Sequence, residues 1–460
     1  MLALVALLAC APDADPATAP GGPSDTEPAI VLPDVAGVAA AEDLDPDPDV
    51  VEVHLTASKT DLTWIEGTTT PAWAYNDQVP GPLIHATVGD TLRVVFTNDL
   101  PAATTIHWHG LRIDDEMDGV PAVQEPVKSG ETFTYEFVLP DAGTYWYHPH
   151  VRGHEQVERG LYGPLIVHEA EPPVVDQDRM FVLDDVLLES DGSFGSFGLS
   201  GMTGMHGRHG NYLLANGTTE MLTDTIQPGA VERWRVVNTA NARLMWIDVE
   251  GAKWRVVGVD GGVLDEPYSA GKLRLPVGRR FDLEVVPKAN AESVQLRVLL
   301  PAQIGFDKYP MFEAAVEGDA LETPTPDWVA APMPELEETT QDVEIVLDAA
   351  AGGFRMKWVI NGEAYDESEP IPVQANVPTR VLLRDESGAG HPFHLHGQFF
   401  EVLSQNGEPF DVPGPLDTVW VNGDDELELY TTFDNPGLWM GHCHILEHAE
   451  LGMMTSFDVQ

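Results

Sequence analysis

The stretch AYNDQVPGPLIHATVGDTLRVVFTN, residues 74–98, determines the fold class that we predict for this chain. Its second half, TLRVVFTN (91–98), alternates apolar and polar residues, which is the pattern of a strand with one buried face. The runs TFTYEFVL (132–139), VERWRVVN (231–238) and TRVLLRD (379–385) show the same alternation between Gly, Pro and Asp turns. The sequence therefore predicts an all-β protein.

Two later segments resemble the first one, namely LLANGTTEMLTDTIQPGAVERWRVVNT (213–239) and WVINGEAYDESEPIPVQANVPTRVLLRD (358–385). Their marker residues Asn76, Asn216 and Asn361 are 140 and 145 positions apart. A repeat at that interval has the size of one β-sandwich. We therefore predict three consecutive sandwich domains, at residues 50–170, 171–330 and 331–460.

The charge of the chain excludes several classes of partner. Lys and Arg total 24 against 75 Asp and Glu, which gives a formal net charge of −51. Nucleic acids and anionic membrane surfaces would be repelled. We expect no nucleic-acid partner.

The N-terminus MLALVALLAC (1–10) is apolar but too short to span a membrane. It ends in Leu7, Leu8, Ala9 and Cys10, which resembles a bacterial lipobox, although the first basic residue is Lys59. We interpret it as a signal segment with a lipid anchor at Cys10, and an ordinary disordered N-terminus is the alternative. Residues 11–49 are acidic and Pro-rich, and we expect a disordered linker there. The protein is then exported, to the periplasm or cell surface.

Paired histidines occur in the first and third repeats. The first repeat contains IHWHG (106–110) and GTYWYHPH (143–150), and the third contains HPFHLHG (391–397) and GLWMGHCH (437–444). The comparable part of the second repeat, LMWIDVEG (244–251), has no histidine. We expect a metal site between domains one and three, with domain two as spacer and wall.

Strand geometry sorts these side chains into two sets, because residues two apart share a face and residues one or three apart do not. Cys443 therefore faces away from His442 and His444, and His391 faces away from His394. The first set consists of His391, Cys443, His448 and Met453. Its side chains are the ligands of an electron-transfer copper site. The remaining imidazoles are too many for one ion and would suit three coppers: His107, His109, His148, His150, His394, His396, His442 and His444.

On these four motifs the chain resembles a multicopper oxidase of the three-domain, bacterial laccase-like type, over residues ~50–460. The resemblance implies three cupredoxin-like Greek-key sandwiches and four coppers per chain. By this resemblance His391, Cys443, His448 and Met453 hold type 1 copper, and His107 and His394 hold type 2. The type 3 pair would be held by His109, His148, His150, His396, His442 and His444.

The resemblance also implies an activity. Four one-electron oxidations of a phenolic or aromatic amine substrate would be coupled, through Cys443, to the reduction of dioxygen to two waters. The alternative is a metallo-oxidase for Cu(I), Fe(II) or Mn(II). Either enzyme uses dioxygen and a small reductant as partners, and we expect a monomer because three domains suffice for the cluster.

Proton donors are expected near the cluster. Asp118, in MDGVP, lies eleven residues after His107 and matches the acidic residue of the family; a turn-forming Asp-Gly is the alternative. Many bacterial relatives have Glu directly after the type 1 histidine, where this chain has Ala449. Glu450, one position later, is the second candidate.

The segment MTGMHGRHGN (202–211) contains Met202, Met205, His206 and His209. These side chains include soft ligands that could bind Cu(I). We interpret the segment instead as a loop that crosses into domain two.

Overall fold

The structure, a computed structural model, describes residues 33–332, 336–352, 355–410 and 412–460. Six sheets contain almost all of its regular structure, which confirms the all-β prediction. The helices of the described residues are short: α1 (Gly153–Gln156), α2 (Met202–His206), α3 (Leu446–Glu450), and two 3-10 turns, Asp115–Met117 and Tyr365–Glu367.

The first two sheets are built from the N-terminal third of the described chain. Its strands are β1 (Val35–Ala36), β2 (Val50–Leu62), β3 (Thr70–Tyr75), β4 (Ile84–Thr87), β5 (Thr91–Asn98), β6 (His107–His109), β7 (Thr132–Val138), β8 (Gly143–His148) and β9 (Gly163–His168). One sheet has the order β3-β2-β5-β7 and the other β4-β9-β8-β6. Alternate residues of β5 are buried, as the sequence predicted.

The second pair of sheets follows. Its strands are β10 (Gln177–Val186), β11 (Tyr212–Ala215), β12 (Leu222–Ile226), β13 (Glu232–Asn238), β14 (Met245–Glu250), β15 (Ala252–Val259), β16 (Gly262–Tyr268), β17 (Leu273–Leu275), β18 (Arg280–Pro287), β19 (Ser293–Pro301) and β20 (Phe306–Val316). The orders are β1-β10-β13-β18-β15-β16, with β11 beside β10, and β12-β20-β19-β14-β17.

The third pair completes the chain. Its strands are β21 (Gln341–Gly352), β22 (Arg355–Ile360), β23 (Ile371–Val373), β24 (Thr379–Asp385), β25 (His391–Leu395), β26 (Glu401–Gln405), β27 (Glu408–Pro409), β28 (Thr418–Val421), β29 (Glu426–Thr431), β30 (Gly437–Cys443) and β31 (Met454–Val459). The orders are β22-β21-β24-β29-β26-β27 and β23-β31-β30-β25-β28.

The three marker asparagines have one structural role. Asn76, Asn216 and Asn361 have φ angles of 51°, 47° and 53°, a left-handed conformation that Asn tolerates better than most residues. Each side chain accepts an N–H from, and donates to, the backbone of the first strand of its own repeat. In each repeat that strand then pairs in parallel with a later one, β2 with β5, β10 with β13 and β21 with β24. The sequence similarity therefore reflects one local structure used three times.

The prediction of a disordered linker over residues 11–49 is wrong for residues 33–49, which are ordered. β1 pairs in parallel with β10, and Val35 and Val38 are buried against Met180 and Val182. The acidic composition concealed this, because two valines are enough to dock a short segment on an existing sheet. The signal segment 1–10, Cys10 and residues 11–32 lie outside the described residues. Among those described, no helix has the length and apolar character that a membrane crossing requires.

Candidate metal centres

Two pairs of neighbouring strands bring the histidine motifs together. β6 and β8 are antiparallel and place His107 opposite His148. β25 and β30 are also antiparallel and place His394 opposite His442, with Cys443 opposite Phe393. Directly opposite residues of a sheet point to the same face. Each motif pair therefore presents its histidines to one side.

His391, Cys443 and His448 form the first group. One donor atom of each lies within 4.8 Å of the others, and all three side chains are buried. The Sγ atom of Cys443 lies 3.8 Å from Nδ1 of His448 and accepts the backbone N–H of Ile445 at 3.3 Å. His391 Nδ1 hydrogen-bonds the buried carboxylate of Asp385 at 2.5 Å, which fixes the orientation of the ring.

The electrostatics of this group favour a bound cation. Burial raises the pKa of the Cys443 thiol. Burial, with a further effect from His391, lowers the pKa of His448 to about 2. The imidazole of His448 therefore remains neutral, as a metal ligand must be, and a thiolate at Cys443 needs a positive charge beside it. Two imidazoles and a buried thiolate fit copper.

Met453, the predicted axial ligand, is fully buried next to this group. Its backbone carbonyl accepts the N–H of Cys443 at 3.1 Å. Met454 is only half-buried and lines a cavity of about 450 Å³ on the outer side. Trp358 stacks on His448, with ring centroids 3.9 Å apart, and covers another side of the group.

The structure gathers all eight remaining motif histidines into a second group. In three sets of histidines, one ring nitrogen of each member lies within 4.8 Å of those of the other two. These sets are His107, His109 and His148; His107, His150 and His396; and His394, His396 and His442. The ring of His444 lies 5.0 Å from that of His109 and completes the group. Nε2 of His396 and Nε2 of His442 are 3.1 Å apart. Two nitrogens that bind one ion at about 2 Å have a similar separation.

Six of these eight rings are held neutral by a lowered pKa, and several ring nitrogens of the group lack hydrogen-bond partners. Burial first, and neighbouring imidazoles second, lower the pKa values of His109, His148, His150, His396 and His444. For His442 the pKa falls to about 3. Buried nitrogens without a hydrogen-bond partner are found on His107, His109, His148, His394 and His444. Such atoms are costly unless a metal binds them, and neutral imidazoles suit copper.

Two buried aspartates each hold one ring from the first domain and one from the third. Asp118 Oδ1 bonds Nδ1 of His107 at 3.0 Å, and its Oδ2 bonds Nδ1 of His396 at 2.8 Å. Asp417 Oδ1 lies 3.3 Å from Nε2 of His109, and its backbone carbonyl bonds Nδ1 of His394 at 2.9 Å. Burial alone would raise the pKa of Asp417, but Arg280, His109 and His394 together outweigh this and hold the pKa well below its usual range.

Glu450 lies outside both groups. Its carboxylate is 3.4 Å from Nδ1 of His154, and its side chain is 34% exposed. Glu447 is the more deeply buried acid of α3, and burial raises its pKa. It accepts a hydrogen bond from Nδ2 of Asn241, which belongs to the second domain.

The segment 202–211 lies over the first group. Trp358 Nε1 donates to the carbonyl of Gly204 at 2.8 Å, and the Met205 backbone faces the ring of His448. Met202 and Met205 are 69% and 41% exposed. The loop prediction is corrected in part, because residues 202–206 form α2, which Arg208 anchors through a buried ion pair with Glu158.

Sequence reasoning missed Asp385, Asp417, Arg280 and Trp358. A usable signal existed for Asp417, which stands at the start of the apolar run LDTVWV, where an isolated carboxylate requires a buried partner. No signal indicated Arg280, because its partner comes from another domain. Asp385 lies only six residues before His391 and could have been proposed as its support.

Comparison with known proteins gives a common result. Three family models described as multicopper oxidase match residues 56–172, 190–295 and 338–460. A multicopper oxidase from Pseudomonas thermotolerans is 31% identical, with TM-score 0.78, covering 89% of this chain and 99% of that one. A Campylobacter jejuni multicopper oxidase titled a metallo-oxidase is 26% identical, with TM-score 0.81, covering 94% and 96%. A laccase-like multicopper oxidase from Ochrobactrum sp. is 25% identical, with TM-score 0.80, covering 92% and 100%.

Proposed function

Because this chain belongs to the multicopper oxidase family, we propose that it couples four one-electron oxidations of a reductant to the reduction of dioxygen to two waters. We assign the first group, His391, Cys443, His448 and Met453, to type 1 copper. The eight-histidine group is assigned to the trinuclear cluster. Dioxygen and a small reductant are then the partners.

The observation that carries this proposal is the position of Cys443. It belongs to the first group, while its chain neighbours His442 and His444 belong to the second. Covalent bonds through one residue therefore join the two groups. Copper in these sites would supply one-electron transfer and dioxygen reduction, and four ions match the four electrons that two waters require.

Asp118 is the residue that we propose to deliver protons to oxygen. It is fully buried and touches His107 and His396, so it lies at the cluster itself. The contacts of Asp118 also give it a second role, because its two oxygens orient two rings. Glu450 lies in neither group, so we assign it at most a role in supplying protons through His154.

Cys443→Ser tests the assignment. Wild-type protein should contain four coppers per chain and show a thiolate-to-copper charge-transfer band. The variant should lose the band and the oxidase activity while it keeps most of the cluster copper. Cys10→Ser, at the one other cysteine, is the matched control and should keep the band. A blue Cys443→Ser protein would contradict the proposal.

We propose phenols or aromatic amines as the reductant. The cavity of about 450 Å³ beside the first group is lined by Met356, Tyr365, Asp366, Glu450 and Met454, among others. Ala449 and Gly452, which flank His448 and Met453 in the chain, also line it. An apolar and aromatic wall with two carboxylates and the ammonium of Lys357 fits a small aromatic ring that bears an amine or hydroxyl group.

One observation favours the second candidate, oxidation of a metal ion. α2 places the exposed thioethers of Met202 and Met205 above the first group, and thioethers are ligands for Cu(I). Steady-state turnover on a phenol and on Cu(I), Fe(II) and Mn(II) separates the candidates. Met202→Leu combined with Met205→Leu should lower Cu(I) turnover alone if the metallo-oxidase proposal holds. Met221→Leu, an exposed methionine away from α2, is the control.

We also propose that the protein is an exported monomer, with a lipid anchor at Cys10. The lipobox-like LLAC (7–10) and the acidic residues that follow it support the export proposal. The completeness of both ligand groups within a single chain supports the monomer.

A further inference from the structure

The second domain supplies none of the proposed copper ligands. One of its side chains nevertheless contacts Asp417, the residue that holds His109 and His394. Arg280, the first residue of β18, is fully buried. Its NH1 and NH2 groups donate to Oδ1 and Oδ2 of Asp417 at 2.7 and 2.6 Å. Asp417 in turn contacts His109 and, through its carbonyl, His394. A bidentate fork of this kind fixes the plane of a carboxylate.

The remaining donors of Arg280 are also used. Nε donates to the carbonyl of Thr144 in the first domain at 2.8 Å. The carbonyls of Gly278 and Asp260 accept from NH1 and NH2 at 3.2 and 2.9 Å. All five N–H groups of the guanidinium are therefore satisfied, and they connect all three domains. Lysine has three donors and could not reproduce this arrangement.

Asp260 strengthens the connection from the second domain. Its Oδ1 accepts the backbone N–H of Arg280 at 2.9 Å. Its Oδ2 lies 3.3 Å from the backbone nitrogens of both Asp417 and Thr418. The Thr418 hydroxyl lies 3.3 Å from Nε2 of His109 and 3.2 Å from Nδ1 of His394. The second domain thus fixes both the backbone and the side chain that hold these two rings.

The carboxylates of Asp118 and Asp417 differ in the kind of partner that they contact. The contacts of Asp118 described above are with two imidazoles, whereas Asp417 forms a buried ion pair with a cation from another domain. Removing one partner of a buried pair leaves an uncompensated charge, which is costly. Without Arg280, the carboxylate of Asp417 would lose both hydrogen bonds that fix its plane, and the ring of His109 would lose a fixed partner.

We infer that Arg280 is a positioning residue through which the second domain holds the trinuclear copper site, by fixing Asp417 against His109 and His394. This inference rests on the proposed function, since it concerns the same cluster. It gives the second domain a specific part in copper retention. The first group shares no contact with Arg280 among those described, so type 1 copper should be independent of it.

The test compares copper retention in Arg280→Met, Arg280→Lys and a control. Arg233→Met is the matched control, because Arg233 is equally buried in the second domain and ion-paired with Asp282, and its described contacts include neither Asp417 nor any of the eight histidines. Each protein is prepared with copper and dialysed against a chelator. Total copper, the type 1 absorption band and the type 2 paramagnetic resonance signal are then followed over time.

We expect Arg280→Met to lose cluster copper about 10- to 100-fold faster than wild type, with the type 1 band retained, and Arg280→Lys to be intermediate. Arg233→Met should retain the cluster copper. Equal loss of all copper in both methionine variants, or wild-type retention in Arg280→Met, would overturn the inference. Wild-type protein without four coppers would instead overturn the proposed function, and the inference with it.

A double variant separates positioning from stability. Arg280→Met together with Asp417→Asn removes both charges, so the melting temperature should recover relative to Arg280→Met alone. Cluster copper should remain weakly held, because the fixed carboxylate is still absent. Recovery of both properties would show that only the burial of charge mattered, and would overturn the inference. If Arg280→Met does not fold, Arg280→Lys and the double variant still decide the question.

Discussion

His107 stacks on His396, with ring centroids 3.9 Å apart, and the two rings come from different domains. His109 stacks on His394 in the same way, at 3.7 Å. Asp118 holds the first stack and Asp417 the second. The boundary between the first and third domains is therefore lined by two stacked histidine pairs, each with its own carboxylate.

Asp118→Asn should slow the reaction with dioxygen and weaken the cluster. An amide has one acceptor oxygen, so it can orient only one of the two rings, and it cannot deliver a proton. Reduction of type 1 copper by substrate should proceed normally, while reoxidation slows on the order of 10²-fold or more. Stopped-flow measurement of both half-reactions, with copper analysis, checks this. Wild-type reoxidation in Asp118→Asn, with slow reoxidation in Glu450→Gln, would place the proton path at Glu450.

Met453→Leu should raise the type 1 reduction potential, because it removes a weak axial donor from the first group. Met454→Leu is the control, since Met454 lines the outer cavity. Redox titration of the blue absorption band measures both. If Met454→Leu changes the potential and Met453→Leu does not, the assignment of the axial ligand is incorrect.

Acid should destabilise the copper-free protein, in part through His168, which lies outside both groups. Burial lowers the pKa of His168 to about 2. In the unfolded chain His168 binds a proton near pH 6.5, whereas in the folded protein it stays neutral down to about pH 2. The free energy of unfolding therefore falls as pH decreases from about 6.5 towards 2. His168→Leu should reduce this dependence by about 1.4 kcal/mol per pH unit in urea unfolding series. Equal slopes in wild type and His168→Leu would contradict the prediction.

The wild-type protein, expressed in a bacterial host, should be found in the membrane fraction if Cys10 carries a lipid. Cys10→Ala should release it, because the remaining apolar segment is too short to span. Fractionation with immunodetection measures this. A soluble wild-type protein would contradict the anchor.

Local patterns predicted much of the fold and the two groups of side chains that could hold metal ions. β5 and β24 begin and end where the alternation of TLRVVFTN and TRVLLRD indicated. Alternation along β30 was enough to separate Cys443 from His442 and His444. Both are short-range properties of a strand, and they can be read from neighbouring residues.

The residues that hold these side chains in place could not be predicted from local patterns. Arg280 and Asp417 lie 137 residues apart, and their pairing depends on how two domains pack. The docking of Val35 and Val38 likewise depends on a sheet formed by later strands. Long-range contacts of this kind leave no periodic pattern in the sequence.

The separation of the histidine motifs along the chain also sets an order of events during biosynthesis. His109 and His442 are 333 residues apart, so the ribosome makes the motifs of the first domain well before the last motif of the third. At about 5–20 residues per second, the delay is roughly 20 to 70 s. During that interval the nascent first domain presents histidines whose partners do not yet exist. The eight-histidine group can therefore be complete only after translation has passed His444.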